Sequence, residues 1–235
     1  MTTATPTPSS GTPSGTRTGP PDDAPTDGRR VRGDRSRRAV LDLAVQDASV
    51  RGLEALTLGS LAARLPVNKS GIAGLFGGKE GLQLAAVEHA RGMFVDAVVV
   101  PARAAAPGLA RLWALVVRWS EYSRRRVFEG GCFFRTVEVE FDTQDGAVRD
   151  AVVAAHRDWT SYLRRHAELA VGAGELAADT DVDQLAFEIT AMLNAANDGS
   201  LLLGDDAVYT RALAAVRGAL ESRGAEPAAL GGASR

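Results

Sequence analysis

The chain contains only two lysines, Lys69 and Lys79, and both lie in one short glycine-rich stretch. A lysine among glycines can bind the phosphates of a nucleotide or of a nucleic-acid backbone. The spacing excludes a nucleotide-binding P-loop, because Ala73 stands where that loop needs a glycine and Glu80 where it needs serine or threonine. The stretch therefore favours the phosphates of a nucleic acid.

The other residues that could do chemistry are scattered. His89, His156 and His166 lie far apart, and none belongs to the histidine and carboxylate arrangement of zinc enzymes. Cys132, the single cysteine, has no identifiable activating partner and is expected to be a buried, unreactive thiol. We therefore expect no metal, no cofactor and no enzymatic activity, and a helical-bundle enzyme is the least favoured function.

Length and composition indicate a globular protein. The 235 residues, 45% of them hydrophobic, are enough to bury a substantial core. No stretch approaches the roughly 18 to 20 apolar residues of a membrane span, and the N-terminus has no secretory signal. One cysteine suits a reducing compartment. We expect a cytoplasmic protein with no membrane partner.

Charge is distributed unevenly along the chain. Residues 29–82 carry ten basic and five acidic side chains, whereas residues 83–235 carry 16 basic and 21 acidic ones. The positive part could meet a polyanion. Exposed helix faces are also charged in many proteins, and charge alone does not separate the two interpretations.

The N-terminal residues 1–34 are predicted to form a disordered tail that ends in a basic arm. Residues 1–28 have no large apolar side chain after Met1 and cannot offset the entropy of ordering. Six arginines follow within ten residues, namely Arg29, Arg30, Arg32, Arg35, Arg37 and Arg38. They could be a solvated linker, or an arm on DNA phosphates or in a minor groove, and the second interpretation is favoured if a DNA-binding module follows.

From Arg35 onward the pattern predicts an all-α protein, because apolar residues recur at helical spacing and no segment alternates like a strand. Val40, Ala44 and Ala48 belong to a first helix that Gly52 ends. Thr57 and Asn68 are predicted N-caps of a short second and third helix. Further helices are predicted from about 78 to 100 and at 109–125, 131–140, 146–171, 181–203 and 205–222.

The first three helices form a predicted helix-turn-helix module, a scaffold that places one helix in the major groove of DNA. Leu58, Leu61, Val67, Ile72 and Phe76 are its expected core. Thr57 and the neighbouring amides could hold a phosphate. Asn68, Lys69 and Ser70 begin the helix that reaches the bases, and Lys79 begins the fourth helix, where it should touch a phosphate.

The stretch from Leu56 to Leu82 resembles the signature of TetR-type regulators. The matching residues are Thr57, Leu61, Ala62, Val67, Asn68, Lys69, Ser70, Ile72, Phe76, Gly77, Lys79, Glu80 and Leu82. Two later segments, residues 130–134 and 146–150, also resemble landmarks of one branch of that family. The resemblance covers nearly all of residues 35–222.

The resemblance implies an N-terminal three-helix DNA-binding domain (residues 35–82) and a C-terminal helical domain for ligand binding and dimerisation (residues 83–223). Residues 224–235 are expected to be a disordered tail. It also implies a homodimer on double-stranded operator DNA, most often a repressor that a small molecule releases. The expected DNA-binding residues are Arg35, Arg37, Thr57, Asn68, Lys69, Ser70, Gly71, Ala73, Gly74 and Lys79.

The sequence departs from the family pattern in its recognition helix. Ala73 and Leu75 stand where the family usually has an aromatic and a polar residue, both of which contact phosphates. Gly71 and Gly74 lower helix stability by about 1 kcal/mol each relative to alanine. These departures keep open an alternative, a small-molecule-binding helical protein with weakened or lost DNA binding.

The aromatic residues of the second half could line an apolar ligand cavity, although core packing is the default for each of them. The expected ligand-binding residues are Trp113, Phe133, Phe134, Trp159 and Asn194. An apolar stripe of Leu185, Ile189, Met192, Leu193 and Ala196, with Leu213, Val216 and Leu220 on the next helix, could face a partner subunit or its own core.

Overall fold

The computed structural model describes residues 1–4 and 24–231, with residues 24–30 described by their backbone only. The expectation of disorder for residues 5–23 and 232–235 lies outside the described residues. The described helices are α1 (Ala24–Arg51), α2 (Leu58–Ala62), α3 (Lys69–Phe76), α4 (Lys79–Phe94), α5 (Val100–Ala102), α6 (Leu109–Arg124), α7 (Phe133–Phe141), α8 (Ala147–Gly172), α9 (Val182–Leu203) and α10 (Ala207–Glu221).

The predicted all-α class is confirmed, and the predicted helices are present with ends shifted by a few residues. The expected helix from about 78 to 100 consists of α4, a π-helical turn at Val95–Val99 and the short α5, which Pro101 does not interrupt because it lies in the first turn. Within the described residues, the only β-pairing is one isolated bridge between Phe128 and Gly131.

The predicted boundary of the N-terminal tail was wrong for residues 24–34. Helix α1 begins at Ala24, so the arginine cluster is part of a helix and not of a disordered arm. Arginine is a strong helix former, and the cluster runs without interruption into the apolar helical segment at Val40. Arg32, Arg35 and Arg38 are exposed on this helix.

The predicted C-terminal tail was also wrong for residues 225–230. Pro227–Leu230 forms a short 3₁₀ helix, and the side chains of Ala225 and Leu230 are buried. The Arg217 guanidinium of α10 donates a hydrogen bond of 3.2 Å to the Leu230 carbonyl. A single leucine in an Ala- and Gly-rich segment does not predict an ordered structure from sequence. The burial of the Leu230 side chain is nevertheless enough to hold this segment in place.

The N-terminal module is built around the apolar face of α1. Val40, Ala44 and Ala48 are fully buried there, and Leu61 of α2 and Ile72 of α3 complete the small core. This is the expected framework of the module. Since α3 contributes only two fully or nearly fully buried side chains, its outer face is free for another partner.

Helix α1 also contacts the connection between α6 and α7 through polar groups. The Gln46 side chain donates to the Val127 carbonyl (3.1 Å) and accepts from the Glu129 amide (2.8 Å). The Gly130 amide donates to Ser49 Oγ (3.0 Å). These bonds are directional and therefore fix the orientation of α1 on the C-terminal helices.

The end of α1 is held by a carboxylate from α7. Glu140 accepts hydrogen bonds from the amides of Leu53 (2.6 Å) and Glu54 (2.8 Å), directly after Gly52 ends α1 at φ +85°. Two amides on one charged acceptor form a strong contact. We call the contacts of Gln46, Ser49 and Glu140 the interdomain joint.

The Gly-Gly-Cys segment before α7 is explained by close approach. A Cβ at Gly131, where φ is +83°, would overlap Oδ1 of the buried Asn197. That same Oδ1 accepts hydrogen bonds from the Cys132 amide (2.8 Å) and from Ser123 Oγ (2.9 Å). Asn197 thus anchors the start of α7 to α9.

Gly130→Ala should lower the free energy of unfolding by about 2 kcal/mol or more, because the added Cβ would overlap the backbone carbonyl of Ser49 and push α1 away from the connection between α6 and α7. Gly92→Ala is the control. Gly92 lies in α4 with no atom within 4 Å of an added Cβ, so the change should stabilise the chain by about 0.5 to 1 kcal/mol. Thermal unfolding measures both. Equal melting temperatures for Gly130→Ala and the unsubstituted protein would contradict the close packing of the joint.

Candidate nucleic-acid interface and ligand chamber

Both short helices of the module begin at the predicted caps. Thr57 Oγ1 accepts the Ser60 amide (3.0 Å), and Asn68 Oδ1 accepts the Gly71 amide (2.7 Å). Gly77, at φ +74°, ends α3, and its amide donates a hydrogen bond to the Ala73 carbonyl (2.8 Å). These local interactions define where α3 starts and stops, so they also define which of its residues face outward.

Helix α3 presents one exposed face, which contains Lys69, Ser70, Gly71 and Gly74, while Ala73 is half-buried. The structure thereby brings together most of the residues predicted to bind DNA. Lys69 carries the one charged group of this face. Ser70 Oγ donates a hydrogen bond to Asn68 Oδ1 (2.9 Å). No atom lies within 4 Å of a Cβ built at Gly74, which leaves the face open to a close approach.

Arg37 supports α3 from within the protein. Its guanidinium donates to the Leu75 carbonyl (2.7 Å) and lies 4.4 Å from the centre of the Phe76 ring. These contacts fix the C-terminal end of α3 against α1. Arg37 therefore has a positioning role that the sequence did not indicate, whereas the nearby Arg35 is exposed.

Lys79 also has a partner within the protein. Its ammonium donates to the carbonyl (2.7 Å) and to the carboxylate (3.1 Å) of Glu54, the residue whose amide binds Glu140. Hydrogen bonds from Gln83 and then from Lys79 lower the pKa of Glu54. This pair could not be predicted from the sequence, because its members are 25 residues apart.

Three of the predicted ligand-binding residues do meet in one place. Phe134, Trp159 and Asn194 line a cavity of about 40 Å³ together with Phe94 and Trp119. The ring centre of Phe94 lies 5.2 Å from that of Trp159 and 6.0 Å from that of Phe134, and both pairs are nearly perpendicular. We call this cavity the aromatic chamber.

Trp113 and Phe133, the other two predicted ligand-binding residues, lie outside the aromatic chamber. Trp113 lies under Arg217 in a separate groove between α6 and α10. Phe133 is fully buried, with its ring between those of Phe128 (5.6 Å) and Phe134 (5.3 Å). Adjacent residues of a helix point about 100° apart, so Phe133 faces the core and Phe134 faces the chamber.

Charged groups close one side of the aromatic chamber. Glu138 of α7 is paired with His156 of α8 at 3.0 Å, and the hydrogen bond to Glu138 raises the pKa of His156. Arg135 is paired with Asp198 of α9 at 2.8 Å. Burial raises the pKa of the Cys132 thiol, which lines the chamber, to about 11, as suits an unreactive thiol.

The aromatic chamber adjoins a groove on the outer face of α8 and α9, with a volume of about 640 Å³. His156, Thr190 and Asn194 line both spaces. Ala186, Phe187 and Ala191 form the apolar side of the groove, and Phe187 is 67% exposed. A ligand that reached the chamber could therefore extend into the groove.

The described ranges, 1–4 and 24–231, hold no helix long and apolar enough to cross a bilayer. In the same part of the chain, no three acidic, histidine or cysteine side chains come close enough together to bind a metal ion.

Residues 108–216 match the family model of the tetracyclin repressor-like, C-terminal domain. The chain is similar to a TetR transcriptional regulator from Chloroflexus aurantiacus J-10-FL (24% identity, 79% of this chain and 94% of that chain, TM-score 0.73). It is also similar to a TetR-family regulator from Cytophaga hutchinsonii (20%, 82% and 96%, TM-score 0.71).

A further similar structure is that of AibR in complex with isovaleryl coenzyme A and operator DNA (21% identity, 69% of this chain and 86% of that chain, TM-score 0.59). No curated protein matches the sequence. At these identities the solved structures establish the fold of the chain and nothing more.

Glu138→Gln should lower the pKa of His156 towards the ordinary value of 6.5, because the bond to the carboxylate is what raises it. A raised folded-state pKa means that the pair stabilises the protein below about pH 6.5 and that this contribution disappears as pH rises through the folded-state pKa. NMR titration of the imidazole measures the shift. Glu121→Gln on α6 is the control and should leave His156 unchanged, and an unaltered His156 titration in Glu138→Gln would refute the pairing.

Proposed function

We propose that this chain is a transcriptional regulator of the TetR family, that it binds operator DNA as a homodimer and that it leaves the DNA when a small molecule binds in the aromatic chamber. It would act as a repressor in the cytoplasm and have no enzymatic activity. The observation that carries the proposal is the open, capped face of α3 in a chain that also contains a separate chamber for a ligand.

The DNA contact would come from Lys69, from backbone amides at the starts of α2 and α3, and from exposed arginines of α1. Amides at a helix start favour a phosphate oxygen. Lys79 would reach a phosphate only by exchanging Glu54 for it, and Arg37 would act through its hold on α3. Since few side chains of α3 reach base edges, phosphate contacts should dominate, which makes the affinity sensitive to salt.

The alternative function is a small-molecule-binding protein with weak or no DNA binding. It is favoured by the same face of α3, which carries one charged side chain and the glycines Gly71 and Gly74. The intramolecular partners of Arg37 and Lys79 add to it, because both groups would otherwise be free for DNA.

For the homodimer, the apolar stripe predicted from sequence is not available to a partner. Leu185, Ile189, Leu193, Ala196, Val216 and Leu220 are buried in the chain's own core, and Met192 and Leu213 are half-buried. The exposed side of α9 carries Phe187 and Leu202 instead, and that of α10 carries the small residues Ala214 and Gly218. A second copy that covers this side would bury large apolar side chains and allow close approach of α10.

Release by a ligand would use α7, which carries Phe134 and Glu138 in the aromatic chamber and Glu140 at the interdomain joint. The AibR structure, similar in fold, contains both a small-molecule thioester and operator DNA, which supports a ligand-responsive regulator. A ligand that displaced α7 would move the amides of Leu53 and Glu54 and thereby the module.

Lys69→Gln should weaken binding to operator DNA several-fold and reduce the slope of log affinity against log salt by about one, because one phosphate contact is lost. Arg103→Gln, an exposed change outside the module, is the control and should alter neither quantity. Fluorescence anisotropy on a labelled duplex at several salt concentrations provides the slopes. The same slope for Lys69→Gln and for the unsubstituted protein would rule Lys69 out as a contact.

Phe187→Glu should convert the dimer into a monomer, since a carboxylate would be buried against an apolar partner surface. Val139→Glu is the matched control, because Val139 is also a large exposed apolar residue but lies on α7. Light scattering after size-exclusion chromatography measures the mass. A Phe187→Glu protein that keeps the dimer mass at micromolar concentration would exclude this face as the interface.

A further inference from the structure

We propose that the aromatic chamber binds the head group of an organic cation, specifically a substituted ammonium whose apolar part extends into the groove on α8 and α9. The inference rests on the proposed function only in taking the chamber as the ligand site. It adds the chemical class of the ligand, for which the charges and rings of the chamber are the evidence.

Four aromatic rings surround the chamber, those of Phe94, Trp119, Phe134 and Trp159. The Phe94 ring is nearly perpendicular to those of Phe134 (86°) and Trp159 (85°), so the faces of these rings point in different directions. An aromatic face carries negative potential, and several faces around one space attract a cation that keeps few hydrogen bonds to water. A quaternary ammonium fits this description.

The fixed charges around the chamber also favour a cation. Arg135 is neutralised by Asp198, to which its Nε and Nη2 donate at 3.1 Å and 2.8 Å. Glu138 is paired with His156, whose imidazole is uncharged above its own pKa. With His156 neutral, one guanidinium faces two carboxylates, and Glu138 is left with an uncompensated negative charge beside the rings.

The same arrangement disfavours an anionic head group. A carboxylate or phosphate in the chamber would lie against the ring faces and near Glu138. Of the basic side chains of the chamber wall, Arg135 is bonded to Asp198, and His156, which is bonded to Glu138, is positive only below its own pKa, so an anion would have to break an existing pair to bind either. The remaining polar members of the wall, Thr190 and Asn194, are uncharged.

The size of the cavity determines how such a ligand would lie. A volume of about 40 Å³ holds a few water molecules but not a complete ligand. Trp159 and Phe134 are half-buried, and a trimethylammonium group would enter by displacing these two side chains outward. The apolar remainder would then lie along Ala186 and Ala191 in the adjoining groove, while Phe187 would contact the second copy.

The test uses three probes of similar shape: benzyltrimethylammonium, its uncharged isostere neopentylbenzene, and the anion phenylacetate. The full chain is titrated at constant ionic strength by calorimetry and by tryptophan fluorescence, since Trp119 and Trp159 line the chamber. The cation should bind saturably and at least tenfold more tightly than either other probe. Equal binding of the isostere, or tighter binding of phenylacetate, would overturn the assignment.

Two variants test the role of charge. Glu138→Gln should weaken the cation at least tenfold, whereas Glu121→Gln, a glutamate of similar side-chain exposure that is also ion-paired, should not. Below the pKa of His156, His156→Gln should tighten the cation, because it removes the positive charge that competes for Glu138. Loss of folding would weaken binding in any variant. A higher affinity of His156→Gln for the cation would therefore report a change of charge and not a loss of folding, and an unchanged affinity would contradict the proposal.

A DNA-release assay keeps this inference distinct from the proposed function. Cation binding without any effect on operator DNA would uphold the chemistry of the chamber and refute ligand-controlled release. Release by an anion, with no binding of benzyltrimethylammonium, would refute the cation class and leave ligand-controlled release intact.

Discussion

The carboxylate of Glu140 is the contact on which the arrangement of the two parts of the chain depends. It holds the amides of Leu53 and Glu54 at the point where α1 ends, and a charged acceptor shared by two amides is stronger than a neutral hydrogen bond. Glu54 in turn holds Lys79 at the start of α4. The position of the helix-turn-helix module is therefore set from α7, and not only by the length of α1.

Helix α7 is fixed at both ends, and residues between those ends line the aromatic chamber. Asn197 of α9 binds the Cys132 amide at its start, Phe134 and Glu138 face the chamber, and Glu140 reaches the module. All three attachments lie on one helix of nine residues. The polar joint also explains why glycine is needed at position 130, where no side chain fits against Ser49.

Features encoded by neighbouring residues could be predicted from the sequence, and features that depend on helix rotation could not. Thr57 and Asn68 were predicted as caps because a cap is decided within three residues. The choice between Phe133 and Phe134, or the pairing of Glu54 with Lys79, depends on how distant helices meet. Composition predicted disordered tails that extend too far at both ends of the chain. Helix α1 begins at Ala24, within a Pro- and Gly-rich region, and Leu230 orders the segment after α10.

The most direct measurement of the central claim is a hydroxyl-radical footprint on the DNA upstream of the chain's own coding region. A dimer that inserts two α3 helices should protect two half-sites whose centres lie about 34 to 36 Å apart, one helical turn, or a multiple of it. Added salt should remove the protection. Absence of any protected region at low salt, or a single unpaired half-site, would contradict a dimeric DNA-binding regulator.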